Sequence, residues 1–391
     1  MKIYAPIATS AVLAALLVAA PAGPVLANGV GDLYVASTAG VLEVHVSTST
    51  VVSKIEMPQP PQALAFTPDG KTLYVGSGGA RVTPIDIETL AVGTDIATPG
   101  PVSALAFPAG QILVGTMPQR RTLVFITVHS NDIAESAELP GPGNLIAGDR
   151  RDPRVAVAEA GGNWLEVVDP ATTQARKTTF AGQIQALAID RNNNGGLLVA
   201  TSEPDALVRI DLTTLTVSWT ITLPGIPTSV VALADSAVVA GGTNLWSVTA
   251  SGATKFATAH DKVVAMSASD EGRFVHVAEP TAIEVFDAGG TLQRTLDLGA
   301  DRTPVALAAV PAGSSLYMGS GSKPSPKAAA SIGTPGALAT QKPPPTGTFV
   351  DTATNVIGYP PVQGALTVAV VILAVYWLGL RWYDRRARRT S

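Results

Sequence analysis

Two glutamates stand where paired carboxylates could do chemistry. Glu159 follows the apolar run Val155-Ala156-Val157-Ala158, and Glu279 follows Val275-His276-Val277-Ala278. Two carboxylates brought together can bind a cation or divide the roles of general acid and general base. A cation also needs further converging oxygens, and Glu203 and Asp205 lie in a neighbouring loop. A second acidic motif, Asp190-x-Asn192-x-Asn194-Gly195, begins like a calcium loop, but its twelfth position is Thr201 where an acid is required. The four histidines, His45, His129, His260 and His276, are far apart in sequence. His45 and His276 alternate with apolar strand residues, and His129 falls in a turn. Ser77-Gly78-Gly79 opens no helix, so it is no phosphate loop. Cysteine is absent, which excludes thiolate metal sites, cysteine nucleophiles and disulfides. Glu159 and Glu279 are thus the candidates for a metal site; no catalytic or cofactor-binding set is expected.

What could bring these glutamates together is a repeat. Seven short apolar strands end in an oxygen-bearing turn residue: Ser47, Asp86, Thr127, Asp169, Asp211, Thr249 and Asp287. The intervals are 39, 41, 42, 42, 38 and 38 residues. A period near 40 with turn residues in phase predicts an all-β chain folded as a seven-bladed β-propeller. The seven oxygens are expected to bond backbone amides of their own turns. A second series, Ala63-Leu64-Ala65-Phe66, Ala104-Leu105-Ala106-Phe107, Ala186-Leu187-Ala188-Ile189 and Ala306-Leu307-Ala308-Ala309, supplies the innermost strands. Their apolar character suits strands covered on both faces. The chain begins without such a strand and ends with a spare, so residues 304–310 are expected to close the ring beside residues 33–37. Leu316-Tyr317-Met318-Gly319-Ser320 then duplicates the strand Leu33-Tyr34-Val35-Ala36-Ser37, and one of the two must be displaced. In this ring Glu159 and Glu279 occupy the same repeat position in blades 4 and 7, and are expected to face each other over the channel mouth.

The unit Pro61-Gln62-Ala63-Leu64-Ala65-Phe66-Thr67-Pro68-Asp69-Gly70-Lys71-Thr72-Leu73-Tyr74-Val75-Gly76-Ser77, followed by residues 82–86, resembles the YVTN-family β-propeller repeat. The resemblance is clearest in residues 32–99 and 303–321. It implies a secreted or surface-displayed propeller and brings no shared catalytic motif. The asparagine that ends the family's signature strand is replaced here by Ser37, Ser77, Thr116, Glu159, Thr201, Gly241 and Glu279.

The ends carry topology signals. Residues 1–27 have one lysine, a short apolar stretch and small residues at Val25-Leu26-Ala27, as a secretory signal peptide does. Residues 28–321 are the propeller. Residues 322–361 hold eight prolines among small polar residues, and form an extended stalk. Residues 362–383 are apolar and long enough to span a bilayer, with Trp377, Trp382 and Tyr383 toward the far end. Residues 384–391 are a short arginine-rich cytoplasmic tail. The expected location is therefore the plasma membrane, single-pass, with the propeller outside the cell.

Outside the leader and the tail stand 20 basic and 29 acidic residues, so nucleic acid is not an expected partner. The lipid bilayer is met by the C-terminal helix, and the other partner is a protein or small molecule outside the cell. The expected function is a binding or protein-interaction module. Lactonase-like hydrolases and quinone-dependent dehydrogenases also use seven-bladed propellers, so an enzyme is one alternative. A structural component of the cell envelope is another.

Overall fold

The computed structural model describes residues 33–190 and 196–311, and these form seven four-stranded antiparallel sheets. Blade 1 combines Leu33–Ser37, Gly40–His45 and Thr50–Ile55 with Pro304–Ala309 from the other end of the chain. Blades 2 to 7 are continuous: residues 61–97, 104–138, 145–179, 183–222, 229–258 and 265–297. The expected all-β, seven-bladed propeller is what forms. In each sheet the strands run in chain order from the inside out, except that the last strand of the chain is innermost in blade 1. Consecutive inner strands touch all the way round, so the ring is closed.

The closing strand lies where it was expected, beside Leu33–Ser37. Ala309 lies opposite Leu33, Leu307 opposite Val35 and Ala306 opposite Ala36. Leu33, Tyr34, Val35 and Ala36 are all fully buried. The rival copy at Leu316 to Ser320 lies outside the described residues. So do the signal peptide, the stalk, the membrane helix, the tail, and all but Asp190 of the Asp190-to-Gly195 motif. No helix among the described residues is long and apolar enough to cross a membrane.

Seven apolar clusters hold the disc together, one at each contact between neighbouring blades. Alternating residues of each middle strand point to the blade before and the blade after, so both faces of a strand such as Leu33–Ser37 are core. The inner strands meet expectation in part: Ala63, Leu64, Ala65, Phe66, Leu105, Ala106 and Phe107 are buried, but others are more open. Ala306, Leu307, Ala308 and Ala309 are all partly exposed, as are Leu187, Ala188 and Ile189. They line the central channel, so one side of each meets open space and small residues fit there.

Asp86, Asp169, Asp211, Thr249 and Asp287 accept amides of their own turns as expected, whereas the Thr127 hydroxyl donates to the Asp132 carbonyl at 3.2 Å. Asp211 Oδ1 accepts the amides of Thr213 and Thr214 at 2.8 and 2.7 Å, and Asp287 Oδ1 those of Gly289 and Thr291 at 2.9 Å. The Thr89 side chain and amide, both bonded to Asp86, hold the Asp86 carboxyl below the usual carboxylate range. One repeat position shifts. Pairing in blade 3 puts Met117, not Thr116, where the other blades have Ser77 or Glu159, because Ala104 faces Thr116 as Ala63 faces Gly76.

The disc has two unlike faces. The upper face carries the turns between second and third strands, with the links from each blade to the next inner strand. The lower face carries the other two sets of turns.

Candidate functional site

The inner rim of the upper face is polar except along one arc. The residue that precedes the inner-strand triplet is Gln62, Ser103, Asn144, Gln185 and Thr228 in blades 2 to 6. In blades 7 and 1 it is Val264 and Val305, which are 42% and 44% exposed. Blade 6 adds Ile226, two residues before Thr228 and 63% exposed. Three consecutive blades thus present aliphatic side chains to solvent at the entry to their inner strands.

Val264 is held out by a tightly anchored loop. The Ala259 amide donates to the Thr243 carbonyl at 2.8 Å, Val263 to Gly242 at 3.0 Å and Val264 to Ala278 at 2.8 Å. Val263 is buried in the core between blades 6 and 7, so its neighbour Val264 must point away. Two carboxyls support the loop from below. The Asp261 amide donates to Glu279 Oε1 at 2.9 Å, and the His260 amide to Glu284 Oε2 at 3.3 Å. Glu279 is 2% exposed and Glu284 5%.

Burial, then the charge of Glu279, push the Glu284 carboxyl above the usual range; its bond from His260 opposes this. Protonated Glu284 can donate to Glu279, which two buried carboxylates side by side otherwise cannot satisfy. The sign of the pH effect follows. A raised folded-state pKa means the folded chain holds a proton that the unfolded chain has released. Stability therefore falls as pH rises above the usual carboxylate range. Glu284→Gln keeps a donor toward Glu279 and removes the titration. It is expected to raise stability at pH 7 by about 1 kcal/mol and to flatten that fall, measured by urea unfolding at several pH values.

Glu279 therefore does not project over the channel mouth. Its repeat partner Glu159 is half-buried, and Glu159 Oε2 accepts the Trp164 indole N–H at 3.1 Å. Each carboxylate is committed to partners in or beside its own blade. Further acids that sequence reasoning left aside are buried on third strands. The Ser53 hydroxyl donates to Glu43 at 2.7 Å, and Lys177 lies 3.5 Å from Glu166. Burial outweighs that lysine and raises the Glu166 carboxyl. Asp190 takes Arg209 Nε at 2.6 Å. Glu203 accepts Gln183 at 3.3 Å. Asp205 lies in the same loop, and its carbonyl accepts the Leu223 amide at 2.9 Å. His129 is exposed in its turn, His45 is half-buried and His276 is buried. Among the described residues no three His, Asp or Glu side chains converge as a metal site would need.

The lower mouth of the channel is spanned by side chains. Arg150 of blade 4 meets Asp270 of blade 7 at 2.5 Å, and its other nitrogen donates to the Pro68 carbonyl of blade 2 at 3.3 Å. The two side chains are 28% and 15% exposed. Behind them lies a cavity of about 320 Å³ lined by Leu64, Leu105, Ile146, Leu187 and alanines. Arg150 follows Asp149 at the end of an inner strand, which is the one local hint that it faces the axis.

Solved structures share the fold at low identity. A functionally unknown protein from Desulfotomaculum acetoxidans is 10% identical, covering 72% of this chain and 99% of that one, with a TM-score of 0.63. Kuenenia stuttgartiensis hydrazine synthase is 12% identical over 65% of this chain and 91% of that one, at 0.54. The Swd1 β-propeller domain of Myceliophteria thermophila is 14% identical over 61% and 86%, at 0.52. These likenesses show the propeller fold. No family model matches the chain, so the YVTN resemblance rests on its sequence motifs. No curated protein matches it either.

Proposed function

We propose that this chain is a membrane-anchored, extracytoplasmic β-propeller that acts as an interaction module and binds a protein partner on its upper face. The observation that carries the proposal is the aliphatic arc of Ile226, Val264 and Val305 on an otherwise polar rim. Apolar side chains grouped on a rigid face and ringed by polar ones mark interaction surfaces. The buried acids beneath the arc work as positioning groups for its loop. Anchoring is supported by the sequence at both ends: the leader in residues 1–27, the apolar run in residues 362–383 and the arginines after it.

The absence of cysteine makes the test direct. Single cysteines are introduced at exposed Ser130 and at Ser391, and intact cells are treated with a membrane-impermeant maleimide. Labelling is expected at position 130 and, only after permeabilisation, at position 391; the reverse pattern removes the proposed topology. A photo-crosslinking residue at position 264 is expected to yield one discrete protein adduct, while the same residue at His129 yields none. Val305→Asp together with Ile226→Asp should abolish that adduct. Equal adducts from both faces would defeat the proposal. A rise in melting temperature with a divalent cation, a quinone or a lactone would favour an enzyme instead.

A further inference from the structure

The residues that follow the inner strands form a ring at the lower mouth of the channel. Strand pairing puts Pro68, Ala109, Arg150, Ala234, Asp270 and Pro311 at one repeat position, in blades 2, 3, 4, 6, 7 and 1. Arg150 is the one cation among these described residues and Asp270 the one anion. A tight turn fixes each of them. The Asp152 amide donates to the Asp149 carbonyl at 3.0 Å, and the Gly272 amide to the Ser269 carbonyl at 2.8 Å. Arg150 thus reaches across the mouth, to Asp270 on one side and to the Pro68 carbonyl on the other.

The cavity above this bridge is about 320 Å³. That is near the lower end for small-molecule sites and leaves room for about ten waters. Its walls carry little side-chain bulk, with Ala65, Ala106, Ala147, Ala188 and Ala308 among them. Each inner strand pairs along one edge with the second strand of its blade, and among the described residues its other edge pairs with no strand. That edge turns backbone N–H and C=O groups toward the channel. A guanidinium at the floor is therefore joined to walls of fixed donors and acceptors.

We propose that the channel above Arg150 binds a small carboxylic acid whose body carries hydroxyl or amide groups. The carboxylate sits on the Arg150 guanidinium, a pairing of matched charge and geometry. The body lies along the strand edges. Asp270 is the internal carboxylate that the ligand replaces. Arg151 lies 4.0 Å from its other oxygen, so Asp270 keeps a cation when Arg150 is taken. No charge is then left uncompensated at the mouth. A cationic ligand, by contrast, would compete with Arg150 and Arg151 for the same carboxylate. The site lies at the face opposite the aliphatic arc and does not depend on it.

The cysteine-free full-length chain carries the test, with one thiol placed in the channel wall by Ala308→Cys. Its rate of modification is measured with methanethiosulfonates that bear a sulfonate, a trimethylammonium or a neutral methyl group. The sulfonate reagent is expected to react about tenfold faster than the other two, the gain from one charged hydrogen-bonded pair. Arg150→Gln should remove that preference, and Asp270→Asn should strengthen it. Arg273→Gln takes the same charge from an exposed site in the Asp270 turn and should change nothing. D-Glucuronate should protect the thiol from the neutral reagent at about one-tenth of the acetate concentration, since its hydroxyls meet the walls, and glucose should not protect it. Should Arg150→Gln fail to fold, Arg150→Lys serves: it keeps the charge, loses the planar fork and should weaken glucuronate protection about tenfold. Equal rates for the three reagents, a faster ammonium reagent, or a sulfonate preference that survives Arg150→Gln would each overturn the proposal. So would a thiol that no reagent reaches, or equal protection by acetate and glucuronate, which would reduce the site to a place for any anion.

Discussion

Truncating Tyr34 to alanine is expected to cost roughly 3–5 kcal/mol of unfolding free energy, the range for deleting a buried aromatic. Tyr34 is fully buried between blades 1 and 2. Its ring meets Phe66 edge-on, with centroids 5.5 Å apart and planes at 79°. Such pairs add to the area term. Its strand is also the one that joins the two ends of the chain, so the same cavity weakens ring closure. Tyr74 is the control. It holds the same position in blade 2, is 2% exposed, and donates its hydroxyl to Asn131 at 2.8 Å. Blade 2 is continuous, so Tyr74→Ala leaves the ring joined. Both variants should lose stability in urea, but Tyr34→Ala should also lower the slope of the transition, because blade 1 opens first. Tyr34→Phe should cost under about 1 kcal/mol if packing dominates. A loss below about 1 kcal/mol for Tyr34→Ala would show that closure does not depend on this ring.

His276 is expected to set the acid limit of stability. It takes the place that Tyr34 and Tyr74 hold in their blades, is 2% exposed, and neither Nδ1 nor Nε2 has a hydrogen-bond partner. Burial pulls its pKa down to about 4 from an ordinary 6.5. The sign follows from proton counting. Between those values the unfolded chain binds a proton that the folded chain refuses, so stability is full above pH 6.5 and drains away as pH falls toward 4. The total is on the order of 3 kcal/mol. His276→Leu should abolish that loss. It should also add about 1–3 kcal/mol at pH 7, by removing two unsatisfied polar atoms from the core. Glu284 works in the opposite direction, losing stability as pH rises above the carboxylate range, so the two partly cancel in the wild-type profile. His276→Leu unmasks the Glu284 slope, and Glu284→Gln steepens the rise due to His276. Unfolding midpoints from pH 4 to pH 8 for both single variants and the double variant check this. A His276→Leu profile parallel to wild type would refute it.

Much of the architecture was legible along the chain. Strand alternation and turn chemistry are local, so a period near 40 was enough to give seven blades. The spare inner strand at residues 304–310 was enough to predict closure beside Leu33, and that is the pairing observed. The turn oxygens at Asp86, Asp211 and Asp287 bond within three to four residues, which spacing can foresee. The apolar inner strands are buried in blades 2 and 3 as expected but partly open at residues 187–189 and 306–309, since composition does not distinguish a core from a channel wall.

The candidate site was far less legible, and its particulars come from the ring. Glu159 and Glu279 look alike in sequence, yet one meets a tryptophan of its own blade and the other a loop from the blade before. Arg150 and Asp270 are 120 residues apart and meet because blades 4 and 7 curve toward a common axis. The aliphatic arc is assembled from Ile226, Val264 and Val305, which lie about 40 residues apart in sequence and become neighbours only when their inner strands pack side by side. Strand, turn and blade number follow from interactions over a few residues, so the linear order of side chains suffices for them. Which polar group is buried, and which apolar group is left at the surface, depends on what closure of the ring sets above it. That contact is decided by packing between distant segments, and local spacing holds no record of it.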